Sequence, residues 1–301
     1  MDKPRLLLVD DEERILRSLA MLFRNQYEVI ATTDPGVALR TVANSRVHVV
    51  VSDQRMPLMR GAELLREVRA RSPLTMRILL TGYSELDAVI ASVNEGEIFR
   101  FISKPWDAAE LRDTVRRAAD IAASLFEAAA APAVHGAGSA RATILVIDDD
   151  ASTAQTVREL SEDADTVWAR TLDAALAALD QHAVGIVVAE LKVGGQSTTT
   201  LLKLLKAQHP QIVSIVLTSF ADTAQFVDLI NQGQVFRLLP KPLRRGAFGM
   251  SLSSALRQHQ MLAQRPALRA AHTVEALREP DTGGVAARLV GFLSRLRLAT
   301  A

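Results

Sequence analysis

Short apolar runs alternate with amphipathic stretches along the first part of this chain. The runs fall at 5–10, 27–31, 47–52, 76–81 and 98–102, and the stretches at about 12–24, 35–44, 60–71, 85–95 and 107–125. This alternation predicts βα units around a parallel sheet. The run Val47-His48-Val49-Val50-Val51 is almost continuously apolar, which suits a strand covered on both faces. In the last stretch Leu111, Val115, Ala118, Ala122 and Leu125 recur at spacings of three and four, the period of a buried helical stripe.

The pattern then returns. "ILVIDDD" (144–150) echoes "LLLVDDE" (6–12), and "GQVFRLLPKP" (233–242) echoes "GEIFRFISKP" (96–105). Lys241 follows Lys104 by 137 positions, as Thr218 follows Thr81 and Glu190 follows Asp53, while Asp148 follows Asp10 by 138. A period of that length is a duplicated domain, too long for a solenoid repeat. The expected organisation is two α/β doubly wound domains at 1–127 and 141–262. Between them, 128–140 holds an alanine run with Pro132, Gly136 and Gly138 and reads as a linker. Residues 263–301 belong to neither copy. There 285–298 could form a short amphipathic helix with Val285, Leu289, Phe292 and Leu296 on one face, as a docking element or a partly ordered tail. A membrane-surface role for it is weakened by Gly291 in its middle.

Composition narrows the classes. A net charge of +1 over 301 residues gives no overall field toward nucleic acid or a membrane, and the tail is too short for a helix-turn-helix domain, so direct nucleic-acid binding is not expected. With no Cys, disulfides, thiolate metal sites and cysteine nucleophiles are excluded. No apolar run approaches the roughly 18 residues that cross a bilayer, and the N-terminus lacks a signal-peptide layout. The expectation is a soluble cytoplasmic protein without a membrane span. The six His residues are scattered, and no glycine-rich phosphate loop, nucleophile elbow or HExxH occurs, so no independent enzyme is expected.

The candidate chemistry lies at strand ends. Asp10 and Asp11 follow the first strand and Asp53 the third. In an open parallel sheet such residues gather in the crevice at the topological switch point. Three carboxylates brought together repel unless a cation joins them, and hard oxygen ligands with room for water suit Mg²⁺. Thr81 ends the fourth strand and Lys104 follows the fifth, where a hydroxyl and an ammonium can hold a phosphoryl oxygen. Phosphoryl transfer depends mainly on in-line positioning and charge neutralisation, and this set supplies both. Taken singly each residue has a plainer reading: Asp10 and Asp11 as a helix cap and first-turn acid, Thr81 as a satisfied strand-end hydroxyl, Lys104 as a solvated charge.

Asp10-Asp11, Asp53 with Gln54-Arg55-Met56-Pro57, Thr81-Gly82 and Lys104-Pro105 together resemble the bacterial response-regulator receiver domain. "DQRMPLMRG" (53–61), "LLTGYSE" (79–85) and "NEGEIFRFISKPWD" (94–107) are similar to receivers of hydrogenase-type transcriptional regulators and HD-GYP-type regulators. The resemblance implies two flavodoxin-like (βα)5 domains with strand order 2-1-3-4-5. It implies that Asp53 accepts a phosphoryl group from a sensor histidine kinase or phosphotransfer protein. Asp10, Asp11, Asp53 and the Arg55 backbone carbonyl would hold Mg²⁺, and Lys104 would hold the phosphoryl group. Thr81 and Phe101 would form a switch pair, although Phe101 is equally well a core residue. Arg55 and Tyr83 would shield the acyl phosphate. Output would pass through the fourth helix, fifth strand and fifth helix to a downstream protein or a second copy of the chain. The only reactions implied are Mg²⁺-dependent self-phosphorylation and dephosphorylation. The alternative is a docking scaffold that never needs phosphate.

The second copy keeps Asp148-Asp149, Thr218-Ser219 and Lys241-Pro242 but carries Glu190 at the acceptor position, "LKVGG" (191–195) after it, and Leu238 in place of Phe101. Glu is longer by one methylene, about 1.5 Å, so efficient phosphorylation of Glu190 is not expected. Its charge could hold an active-like state, the domain could have become a docking or dimerisation module, or a residual site could still bind metal.

Overall fold

The computed structural model describes residues 3–82, 98–130, 142–161, 164–218, 229, 231, 235–264 and 269. The chain divides into two compact units, Met1–Ala133 and Val134–Ala301.

In the first unit the apolar runs form β1 (Arg5–Val9), β2 (Glu28–Thr32), β3 (Val49–Asp53), β4 (Met76–Thr81) and β5 (Arg100–Ser103). All pairings are parallel and the order is β2-β1-β3-β4-β5, so the chain reverses direction across the sheet between β1 and β3. Helices α1 (Glu13–Phe23), α2 (Pro35–Asn44), α3 (Gly61–Arg71) and α4 (Ala108–Ala130) accompany them. Every residue of β3 and β4 is buried, as strands covered on both faces must be. Local chemistry starts the helices. Asp34 accepts from the Gly36 and Val37 amides at 2.6 and 3.3 Å ahead of α2, with Pro35 leading the helix. Leu16, Leu19 and Phe23 are the buried stripe of α1, and Leu111, Val115, Ala118, Ala122 and Leu125 that of α4.

The second unit repeats the plan with β6 (Thr143–Ile147), α5 (Ala151–Leu160), β7 (Thr166–Ala169), α6 (Leu172–Gln181), β8 (Val184–Glu190), α7 (Thr199–Gln208), β11 (Val213–Thr218), β12 (Arg237–Pro240) and α8 (Arg245–Gln264). Its strand order, β7-β6-β8-β11-β12, is the same one. Phe248, Leu252 and Ala255 of α8 pack on Ile144, Val146, Ile186, Val188, Ile215 and Leu217. Between β8 and α7 lies a two-stranded antiparallel hairpin, β9 (Lys192–Val193) with β10 (Gln196–Ser197).

Three differences from the sequence reading stand out. The alanine run read as the start of the 128–140 linker continues α4 through Ala130, because Ala is the strongest helix former and no breaker precedes Pro132. Helix α8 likewise passes residue 262, ending at Gln264. The β9–β10 hairpin was not anticipated. The stretch expected as a helix at 85–95, and with it the fourth helix of the output face, lies outside the described residues, as do Tyr83 and the 285–298 segment. Among the described residues no helix is long and apolar enough to cross a membrane.

Candidate functional site

The carboxyl ends of β1, β3, β4 and β5 bring Asp10, Asp53, Thr81 and Lys104 to one rim of the first sheet. Register fixes this: Val9 lies beside Ser52, Asp53 beside Leu80, and Thr81 beside Ser103. Lys104 Nζ is 2.6 Å from Asp53 Oδ1 and 3.5 Å from Asp10 Oδ2. The two aspartates are buried, whereas the lysine side chain keeps 28% of its exposure, so the pair faces an open mouth. Asp53 Oδ2 accepts from the Arg55 amide at 2.7 Å, which fixes the carboxylate plane and leaves Oδ1 toward the lysine.

Asp10 is not the helix cap that a plain reading allows. The cap of α1 is Glu12, whose amide donates to Asp10 Oδ1 at 2.9 Å. Burial pushes the Asp10 carboxyl above its ordinary value and the Asp53 charge adds to this, against the Glu12 amide and Lys104, which favour the anion. Burial alone would lower the Lys104 ammonium, but the hydrogen bond and charge of Asp53, with Asp10, outweigh it and the net shift is upward. Asp11 is exposed and makes no hydrogen bond or ion pair among the described residues. Thr81 is buried at the end of β4, its hydroxyl donating to the Gly82 carbonyl at 3.3 Å. Phe101 is buried within β5 beside Leu79, as a core residue would be.

The structure therefore brings Asp10, Asp53 and Lys104 together, with Thr81 at the neighbouring strand end, and leaves Asp11 apart. Among the described residues no three carboxylate or His side chains are gathered as metal ligands. The ammonium of Lys104 occupies the centre of the acid pair. The donor set nevertheless fits a hard dication. Asp10 and Asp53 present carboxylate oxygens at an open rim, the ligand type such an ion takes, with Asp11 one residue further along the chain.

Sequence reasoning missed some supporting residues. Gln54 is buried and its Oε1 accepts from the Ala62 amide at 3.0 Å, while the Gly61 amide donates to the Gln54 carbonyl at 3.1 Å. These two bonds tie the start of α3 to the end of β3. Trp106 places its ring 5.6 Å from Lys104 Nζ, within cation–π range. A polar residue and a glycine flanking the acceptor loop were the available signals.

In the second unit Lys241 Nζ lies 2.7 Å from Glu190 Oε2 and 3.0 Å from Asp148 Oδ1. Asp148 Oδ2 is 2.8 Å from the same ammonium but accepts no hydrogen bond, for want of alignment rather than proximity. Burial, and the neighbouring Asp148, push the Glu190 carboxyl up despite Lys241. Thr218 ends β11 and is buried. Asp149 is held by the loop after the acceptor position: both its oxygens accept from the Gly194 amide, at 3.0 and 3.1 Å.

The Response regulator receiver domain family matches residues 6–116 and 144–253. Among curated proteins, the hydrogenase transcriptional regulatory protein HoxA of Cupriavidus necator is 38% identical over 115 residues, which is 38% of this chain and 24% of HoxA. The regulatory protein AtoC of Escherichia coli is 36% identical over 115 residues, 38% of this chain and 25% of AtoC. The matched region thus spans about a quarter of these relatives' length. Among solved structures, the signal receiver domain of an HD domain-containing protein from Pseudomonas fluorescens Pf-5 aligns at 38% identity, covering 42% of this chain and 94% of that one, with a TM-score of 0.41. With both copies matched and both sheets in the order 2-1-3-4-5, the chain belongs to the response regulator receiver domain family and carries that domain twice.

Proposed function

We propose that the chain is a two-component response regulator that takes a phosphoryl group onto Asp53 from a histidine kinase or phosphotransfer protein and signals through protein contacts. The observation that carries this reading is Lys104 Nζ at 2.6 Å from Asp53 Oδ1, at a rim shared with Asp10. Asp53 Oδ1 attacks phosphorus, the bond from phosphorus to the donor's imidazole nitrogen breaks, and that nitrogen keeps the electron pair and is reprotonated. Lys104 stays to neutralise charge on the transferred group. Asp10, Asp11, Asp53 and the Arg55 carbonyl would hold Mg²⁺, which supplies further neutralisation at the phosphoryl oxygens. Thr81 would turn its hydroxyl from the Gly82 carbonyl to the phosphoryl group, and the Arg55 side chain would limit access of water to the product. Phosphorylation would bias a two-state equilibrium and change which protein, or second copy, is bound. Glu190 takes no part as an acceptor.

Incubation with acetyl phosphate and Mg²⁺ should add one phosphate per chain, absent in Asp53→Asn and absent when Mg²⁺ is chelated. No uptake from acetyl phosphate or from an active kinase overturns the reading. If Asp53→Ala leaves partner binding unchanged, the chain is a docking scaffold instead.

A further inference from the structure

Among the described residues the two rims differ in the backbone that follows the acceptor position. The loop after the acceptor position has the same length in both copies, since the Gly61 amide bonds the Gln54 carbonyl and, 137 positions on, the Thr198 amide bonds the Leu191 carbonyl at 2.9 Å. Within that shared frame Gly194 falls where the first copy has Pro57. Proline has no amide hydrogen, so nothing at position 57 can donate to Asp11. Gly194 does have one, and it is the donor that both Asp149 oxygens share.

What aims that amide is the hairpin. Val193 pairs with Gln196 and Lys192 with Ser197, leaving Gly194 and Gly195 as a two-residue turn. Their φ values of +56° and +76° suit the mirror-image turns of tight hairpins, which glycine enters without strain. Buried Val193 anchors the hairpin from below, and the Thr198 hydroxyl donates to the Glu190 carbonyl at 2.6 Å. Meanwhile Lys241 spans Glu190 and Asp148 at 2.7 and 2.8 Å. Lys104 spans Asp53 and Asp10 in the same way, so what sets the second rim apart is its third carboxylate, Asp149, held by a backbone amide where Asp11 has no such partner among the described residues.

We infer that the Gly194-Gly195 hairpin is a specificity-determining element that closes the second site to Mg²⁺ and phosphoryl donors, so that the duplicated chain accepts phosphate at one position only. This rests on the reading of Asp53 as the acceptor. It goes beyond the Glu190 substitution, because it places the block in the loop as well as in the acceptor residue.

The test uses the full chain in an Asp53→Asn background, where only the second site remains. Glu190→Asp alone should take up phosphate from acetyl phosphate and Mg²⁺ at least about tenfold more slowly than wild-type Asp53, since a held Asp149 leaves the metal and the acceptor misplaced. Adding Val193→Met, Gly194→Pro and Gly195→Leu, which rebuild the loop of the first copy, should recover most of that loss. Uptake by Glu190→Asp alone at the wild-type Asp53 rate overturns the inference. So does failure of the rebuilt loop to improve uptake while circular dichroism shows an intact fold. A second measurement needs no phosphate. The chain has two Trp residues, and Trp168 Nε1 donates to the Asp148 carbonyl at 2.9 Å. In Trp106→Phe its emission should not respond to Mg²⁺; a saturable response overturns the inference even if Asp53 never accepts phosphate.

Discussion

Gly61 opens α3 directly against the end of β3, and an added methyl group has nowhere to go. In Gly61→Ala the new Cβ would lie 2.0 Å from the Asp53 carbonyl oxygen and 2.7 Å from Leu79 Cδ1. A carbon–oxygen contact settles beyond about 3 Å, so either α3 or the end of β3 must move by roughly 1 Å. Overpacking of this kind costs about 1–3 kcal/mol. The bond from the Gly61 amide to the Gln54 carbonyl, 3.1 Å in the native fold, would be strained or lost, adding about 1 kcal/mol. The total of about 2–4 kcal/mol should lower the melting temperature of the first unit by roughly 8–16 °C at about 4 °C per kcal/mol. Because the displaced group is the backbone of the acceptor, uptake from acetyl phosphate in the folded fraction should fall by about 10²-fold. Differential scanning calorimetry and a phosphorylation time course read the two effects separately. A melting temperature within about 2 °C of wild type, with an unchanged rate, would refute the packing argument. The equivalent position in the second copy shows the alternative: Thr198 fits a side chain there by donating its hydroxyl to the Glu190 carbonyl.

Asp10→Asn should raise the stability of the first unit near neutral pH without Mg²⁺, since the amide oxygen can still accept from the Glu12 amide and no buried charge remains, while weakening Mg²⁺ binding. The sign comes from the raised carboxyl, whose favourable contribution is present below the unfolded pKa and is lost as pH rises through the folded one; denaturant melts at pH 4 and pH 8 should show the gain growing with pH. Lys241→Met leaves Asp148 and Glu190 facing each other without a cation, and should destabilise the second unit by about 3 kcal/mol at pH 7, less as acid protonates the raised Glu190 carboxyl; an equal loss at pH 4 would contradict this. Gly185→Ala would set a Cβ 2.6 Å from His259 Nε2, whose ring is held by the bond between Nδ1 and the Gln211 carbonyl, and should cost about 1–3 kcal/mol in urea melts.

The fold was legible because its signals are local and repeated. Apolar runs such as 47–52 and 76–81 mark strands buried on both faces, and the stripe from Leu111 to Leu125 marks a helix, so the βα alternation and its duplication can be read without coordinates. The acid pair and the lysine of the first rim were legible for the same reason, since a parallel sheet gathers at one edge the residues that come just after its strands. Tertiary structure decided what each carboxylate does there. Asp11 and Asp149 occupy matching places in sequence, yet one is free among the described residues and the other is bound by an amide from a loop 45 positions away. That difference depends on the sign of two φ angles and on whether residue 57 or 194 carries an N–H pointed at the rim. Direction is a property of the folded backbone, and residue type alone constrains it only where proline or glycine stands.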